Sequence, residues 1–324
     1  MKSILIIAVF LLAGLNTGYA QNQTFGDTPS FQADQSITWP GDIASDEGPS
    51  ELPIKGFGQI NFDYEYISPS EFTDSPLRGQ ELGFGEGTLA VSYTRLFSLE
   101  HGLNFGIGHT KTTLWWTPDP VFNETDFDVL NFSFNGFTKL WKCLEIKGGV
   151  SASVDTHHWR LDYTYYNITG WGRYIWKTGM CGDVGLNFGA TARTGLKGEF
   201  VYPILGIDFS PREDLQFNLI FPVDMVITQK ISEHISLRVA GKLWNSRRRL
   251  GENEVIPNGF FEYRNAGIQL GAVLDFEPYA SANVHIGSTL GTGDVRLSDT
   301  NDVQEAFSSI SPAPYVGGEV WFRF

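Results

Sequence analysis

The chain is poor in cysteine, in positive charge and in long apolar runs, and each shortage removes a class of protein. Its 324 residues hold two cysteines, Cys143 and Cys181. Two thiols make at most one disulfide, too few to staple a small secreted scaffold. Disulfide geometry limits the Cα atoms to about 7 Å apart. Two strands are expected between these cysteines, so both are expected as free thiols. Lys and Arg number 23 against 37 Asp and Glu, a formal charge of -14. A surface this acidic does not bind phosphate backbones, which excludes a nucleic-acid role.

Only one long apolar run exists, from Ile4 to Leu15. It falls short of the roughly 20 residues that cross a bilayer as a helix. Lys2 precedes it and Gly18-Tyr19-Ala20 follows, so residues 1–20 read as a secretory signal cleaved after Ala20. No later run could make a membrane helix, so an inner-membrane helical protein is excluded.

What the chain has in plenty is aromatic residues: 25 Phe, 12 Tyr and 9 Trp, 14% in all. Its mean hydropathy is nevertheless only -0.13. Alternation produces that combination, with every second residue apolar and the rest polar. Residues 21–53 stand apart, rich in Gln, Ser, Asp, Gly and Pro, with six carboxylates and no basic residue. They read as a flexible acidic arm that either folds back against lumen bases or stays solvated.

From residue 54 to 324 the alternation can be followed face by face. Ile60, Phe62, Tyr64 and Tyr66 oppose Asn61, Asp63 and Glu65. Val184, Leu186, Phe188 and Ala190 oppose Asn187, Thr191 and Arg193, and Leu237 and Val239 oppose Arg238 and Lys242. A soluble β-sandwich alternates too. Here, however, strand follows strand with an apolar face and no helices to cover it, a design that aggregates in water. In a bilayer those faces meet lipid, and closure satisfies the backbone. The expected fold is therefore all-β, a single antiparallel transmembrane up-and-down barrel. Both termini and the short turns should share the periplasmic end. The count is about 14 strands if Pro222 marks a tight hairpin and 12 if it lies within one strand. A mid-strand proline wastes a ladder bond, which favours 14. Loops are expected at 68–82, 117–126, 246–258 and 297–313.

Inward-facing candidates are Asp63, Glu65, Arg193, Arg238, Lys242 and Arg323. Asp155 and His157 share a face of an expected strand and His158 the other, which makes at most part of a metal or hydrolase site. They are expected as rim residues, and neither a catalytic set, a metal site nor a cofactor is anticipated. Arg247, Arg248 and Arg249 form the main basic cluster, a solvated loop base or a phosphate contact. The tryptophans are expected mainly as interfacial girdles. The cluster of Tyr163, Tyr165, Tyr166, Trp171, Tyr174 and Trp176 is dense enough to be a solute contact instead.

The end of the chain, with Val316, Val320, Phe322 and Phe324 on one face, resembles the terminal signal of bacterial outer-membrane proteins. The resemblance implies that Phe322 and Phe324 are read by the barrel-assembly machinery. Glu319 stands where glycine is usual, with Gly318 one place away. Residues 198–277 carry Tyr202-Pro203, Gly206, Phe209, Pro211, Phe221-Pro222 and Glu262-Tyr263-Arg264. This stretch is similar to an uncharacterised family of outer-membrane barrels, and distantly to barrels proposed to pass aromatic compounds. Those resemblances imply fold and outer-membrane lipid as surroundings. The functional expectation is a pore or channel for small or lipophilic solutes, the alternative a structural or surface-interaction barrel with a filled lumen, and an enzyme is not expected.

Overall fold

The computed structural model describes residues 56–324 apart from 75, 99, 142, 158, 160–162, 178–182, 197, 277–278 and 302. Every regular element among them is a strand. In chain order these are β1 (Gly56–Glu71), β2 (Glu81–Ser98), β3 (His101–Thr117), β4 (Asp126–Trp141), β5 (Leu144–Asp155), β6 (Thr164–Lys177), β7 (Asp183–Gly195) and β8 (Gly198–Arg212). They continue with β9 (Leu215–Phe221), β10 (Asp224–Lys230), β11 (Ile235–Arg249), β12 (Phe260–Phe276), β13 (Ala280–Thr289), β14 (Gly293–Ser298), β15 (Gln304–Ile310) and β16 (Pro314–Arg323).

Consecutive strands pair antiparallel from β1 to β13, and β16 pairs with both β13 and β1. The wall therefore closes on fourteen staves, β1 to β13 plus β16, each paired on both sides over at least part of its length. β14 continues β13 along the far part of β12, and β15 returns beside β14. Together they form one long hairpin, stepped at 290–292 and 311–313.

Pro222 settles the count as its chemistry suggests. β9 ends at Phe221, β10 begins at Asp224, and the proline sits at the tip, where no ladder bond is lost. At the turn from β7 to β8, Gly195 holds a φ of +113°, a conformation that disfavours any side chain. The expected loops prove to be partly strand, and 68–82 shrinks to 72–80. β11 runs on to Arg249 and the loop shrinks to 250–259, while the stretch expected as loop at 297–313 contains β15.

Outward positions form an apolar belt. Val284 and Ile286 on β13 are 60% and 63% exposed, and Phe62, Leu89 and Ile168 are similarly open. Lipid solvates such a belt, whereas water would not. Trp141 and Trp176 are exposed at the end of the barrel that carries the short turns, and Trp159 at the end that carries the long loops. These three fit a girdle. Trp116, Trp171, Trp244 and Trp321 do not, because their alternation points them inward.

One irregularity shapes the lumen. β9 and β10 have seven residues each, against fifteen in their neighbours β8 and β11. Above the hairpin tip, residues 198–204 of β8 are laddered only to β7 and residues 242–249 of β11 only to β12. Freed from a wall partner, the upper part of β11 leans across the barrel and takes β12 with it. Tyr263 of β12 stacks on Phe84 of β2 with ring centroids 4.4 Å apart. Phe261 packs on Phe122 and Phe127, and Trp244 on Tyr315. These residues join Ile67, Leu114, Leu250 and Val295 in a buried apolar core at the loop end. That end of the barrel is locally a sandwich rather than a tube.

Candidate functional site

Polar groups brace the infolded strands on both sides. On the face toward β1–β3, Glu65 receives Lys242, the indole N–H of Trp244 at 2.9 Å and the Nε2 of His285 at 3.0 Å. Higher up, Arg248 donates to Glu86 at 3.2 Å and to the Thr112 hydroxyl at 2.9 Å. The other face of β11 carries Asn245 and Arg247, which alternation would aim at lipid. Asn245 is 1% and Arg247 4% exposed, and Glu262 opposite Arg247 is 3% exposed. Arg247 pairs with Glu262 at 3.4 Å, and Arg249 lies over the Tyr163 ring at 4.4 Å. Buried charge of this kind needs partners on both sides, which only the barrel interior supplies here.

The three consecutive arginines are therefore neither a solvated loop base nor a free phosphate contact. They are strand residues, packed across the lumen.

Beside this partition, on the inner faces of β2–β6, runs a cavity of about 330 Å³. It reaches from Phe57, Trp321 and Arg323 near the termini to Glu86 and Arg248, and on the hairpin side to Ile204, Pro222 and Val223. A second, far smaller space shares Ser153, Tyr165 and Arg248 with it and continues toward the loops past Asp155, Tyr163 and Leu196. The larger space thus lies toward the termini and the smaller one toward the loops, with Arg248 and Tyr165 between them.

The inward candidates fall at different heights. Arg323 lines the wide cavity and lies over the Phe57 and Trp321 rings at 5.3 and 5.4 Å. Arg193 is buried over Tyr165 at 4.3 Å, while Glu65 and Lys242 join each other in the partition. Asp63, opposite Glu319 in the ladder, and Arg238 share the inward parity but do not line the cavity. The structure adds a network that alternation alone did not single out. Arg173 bridges Glu145 at 3.1 Å and Asp208, and Asn187 links Asp208 to the Trp171 indole. Three inward charges on neighbouring strands were the available signal.

Asp155 ends β5, so His157 lies in the following turn rather than on a shared strand face. Its backbone N–H donates to Asp155 at 2.8 Å, and its imidazole lies 4.0 Å from Asp128. His158 falls outside the described residues. Among the described residues no three His, Cys, Asp or Glu side chains are grouped to hold a metal. Cys143 is half-buried in the β4–β5 turn, and Cys181 lies outside the described residues.

No known protein-family profile matches the chain. An uncharacterised protein of Chlamydia pneumoniae is 22% identical over 80% of this chain and 85% of its own length. An uncharacterised protein of Chlamydia muridarum is 26% identical over 42% of this chain and 43% of its own. Among solved structures, the translocator domain of the autotransporter NalP from Neisseria meningitidis covers 90% of this chain and 95% of that domain, at 12% identity and a TM-score of 0.42. The COG4313 outer membrane channel from Pseudomonas putida F1 covers 86% of this chain and 100% of that one, at 9% identity and a TM-score of 0.44. The similarity to the solved structures is one of general barrel shape.

Proposed function

We propose that the protein is exported by its N-terminal signal to the outer membrane of a diderm bacterium and passes small solutes through a narrow, off-centre pore. The observation that supports this is the cavity along β2–β6, with a smaller space next to it toward the loops that shares Ser153, Tyr165 and Arg248 in its lining. Arg248 is the neck, held by Glu86 and Thr112. A second reading, a barrel with a filled lumen and no transport, is favoured by the apolar core at the loop end.

Planar-bilayer recording separates the two. The pore reading expects small, resolvable conductance steps, larger steps from Arg248→Ala, and an unchanged heat-modifiable band on gels for both. Folded protein that gives no steps, with or without Arg248, supports the filled barrel instead.

A further inference from the structure

The chemistry of the cavity wall points to a class of solute, an inference that rests on the pore reading. Across five consecutive strands, β2 to β6, the inward positions lining the cavity are mostly Thr, Ser, Asn and Gly. Two charges interrupt them. Glu86 is held by Arg248 at 3.2 Å, and the Lys147 ammonium lies 5.5 Å over the Trp171 ring.

The hydroxyls and amides are chained around the wall. Thr88 and Thr110 share a bond at 2.9 Å, Asn131 donates to Thr110 at 2.9 Å, and Ser153 donates to Asn131 at 2.6 Å. Farther round, Asn167 donates to Ser151 at 3.3 Å, and Thr169 and Thr191 share a bond at 2.9 Å. Such chaining fixes which way each amide points, so the remaining lone pairs and protons are presented in set directions. Asn61 and Asn167 belong to this wall, and their carboxamide oxygens are buried and accept from no protein donor among the described residues. A buried acceptor left unmatched costs about 1–3 kcal/mol. A turn of either amide toward the cavity would let its oxygen accept from a solute hydroxyl.

The same cavity has an apolar corner. Trp171, Ile204, Ile220 and Val223 cluster at the tip of the short hairpin, beside Tyr165. A wall of neutral donors and acceptors facing an aromatic and aliphatic corner suits a ring with hydroxyls at its edge and C–H groups on its face. Along β2–β6 it offers little to an ion, since Glu86 and Lys147 are engaged there, while Glu319 and Arg323 lie at the end of the cavity near the termini. Its volume of about 330 Å³ is at the small end of ligand cavities.

We propose that this band is a selective site for a neutral polyhydroxylated ring of monosaccharide size. The test is uptake of labelled glucose, gluconate and glucosamine into proteoliposomes, with tryptophan emission titrated by glucose in parallel. The expected result is glucose entry roughly tenfold faster than either charged analogue, a factor worth about 1.4 kcal/mol. In Asn61→Leu/Asn167→Leu that preference should fall to near unity, with heat-modifiability retained to show that the barrel is folded. Equal entry of all three solutes would overturn the proposed class and leave the pore standing. A glucose-dependent emission shift without entry of any solute would support the site and overturn the pore. Neither entry nor shift would overturn both.

Discussion

Glu65 shows how much one inward side chain can hold. It takes Lys242 and Trp244 from β11 across the lumen and His285 from β13, two strands away along the wall, and is almost wholly buried. Removing one partner of a buried ion pair costs about 3–5 kcal/mol, because the other charge stays behind unmatched. Glu65→Gln should therefore lower the unfolding free energy of the barrel in lipid vesicles by that order, read as a lower urea midpoint. Glu65→Gln combined with Lys242→Met should recover part of the loss, and equal midpoints for the wild type and the single variant would show that the pair does not hold the partition. Parity in the sequence picked out Glu65 and Lys242 as inward residues but not as partners, since nothing in local alternation says which strands meet across a lumen. Nor does parity mark Trp244, expected with the girdle tryptophans, or His285, on the polar face of its strand, as partners of Glu65.

At the scale of elements, alternation was legible wherever a strand has lipid on one side and water on the other. It failed where β11 and β12 leave that setting. Phe260 and Phe261 are apolar on both faces, while Arg247 and Arg249 occupy lipid-side parity. Those residues break the period because both faces are buried, and the break itself was the available clue to an infolded segment. The regular strands predict the opposite sensitivity. Ile286→Arg places a charge on the lipid belt and should destabilise the inserted barrel by about 2–4 kcal/mol. Ser281→Arg, on the inward face of the same strand, should cost less, and a larger loss from the inward variant would reverse the assignment of faces. The final strand pairs with β1 from Gln59 to Ile67 and so closes the wall. Replacing Phe322 and Phe324 with Ser should reduce the amount of inserted protein and leave protease-sensitive material behind. Normal membrane levels of the double variant would show that these two aromatics are not an assembly signal.

For the whole molecule, closure, strand number and the outward belt followed from composition, periodicity and one proline. The off-centre lumen did not, because it depends on the shortness of a single hairpin and on contacts between strands far apart in sequence. The acidic arm at 21–53 lies outside the described residues, and its folding back against the inward bases Arg193, Arg238, Lys242 and Arg323 makes a separate prediction. A chain lacking 21–53 should conduct better than the full one, with a difference that shrinks in high salt; identical conductance would make the arm a linker. The central claim is that β12 crosses the lumen to meet β2. Along the wall these strands are four spacings apart, about 19 Å, yet Phe84 and Tyr263 stack at 4.4 Å. The most direct measurement replaces both native cysteines with Ser, places Cys at 84 and 263, and treats the folded, membrane-inserted protein with a thiol cross-linker of about 8 Å. Near-complete intramolecular cross-linking, seen as a linked peptide by mass spectrometry, is the predicted result. Reaction of both thiols without a link, in protein that still shows its heat-modifiable band, would mean an open tube and would contradict the account.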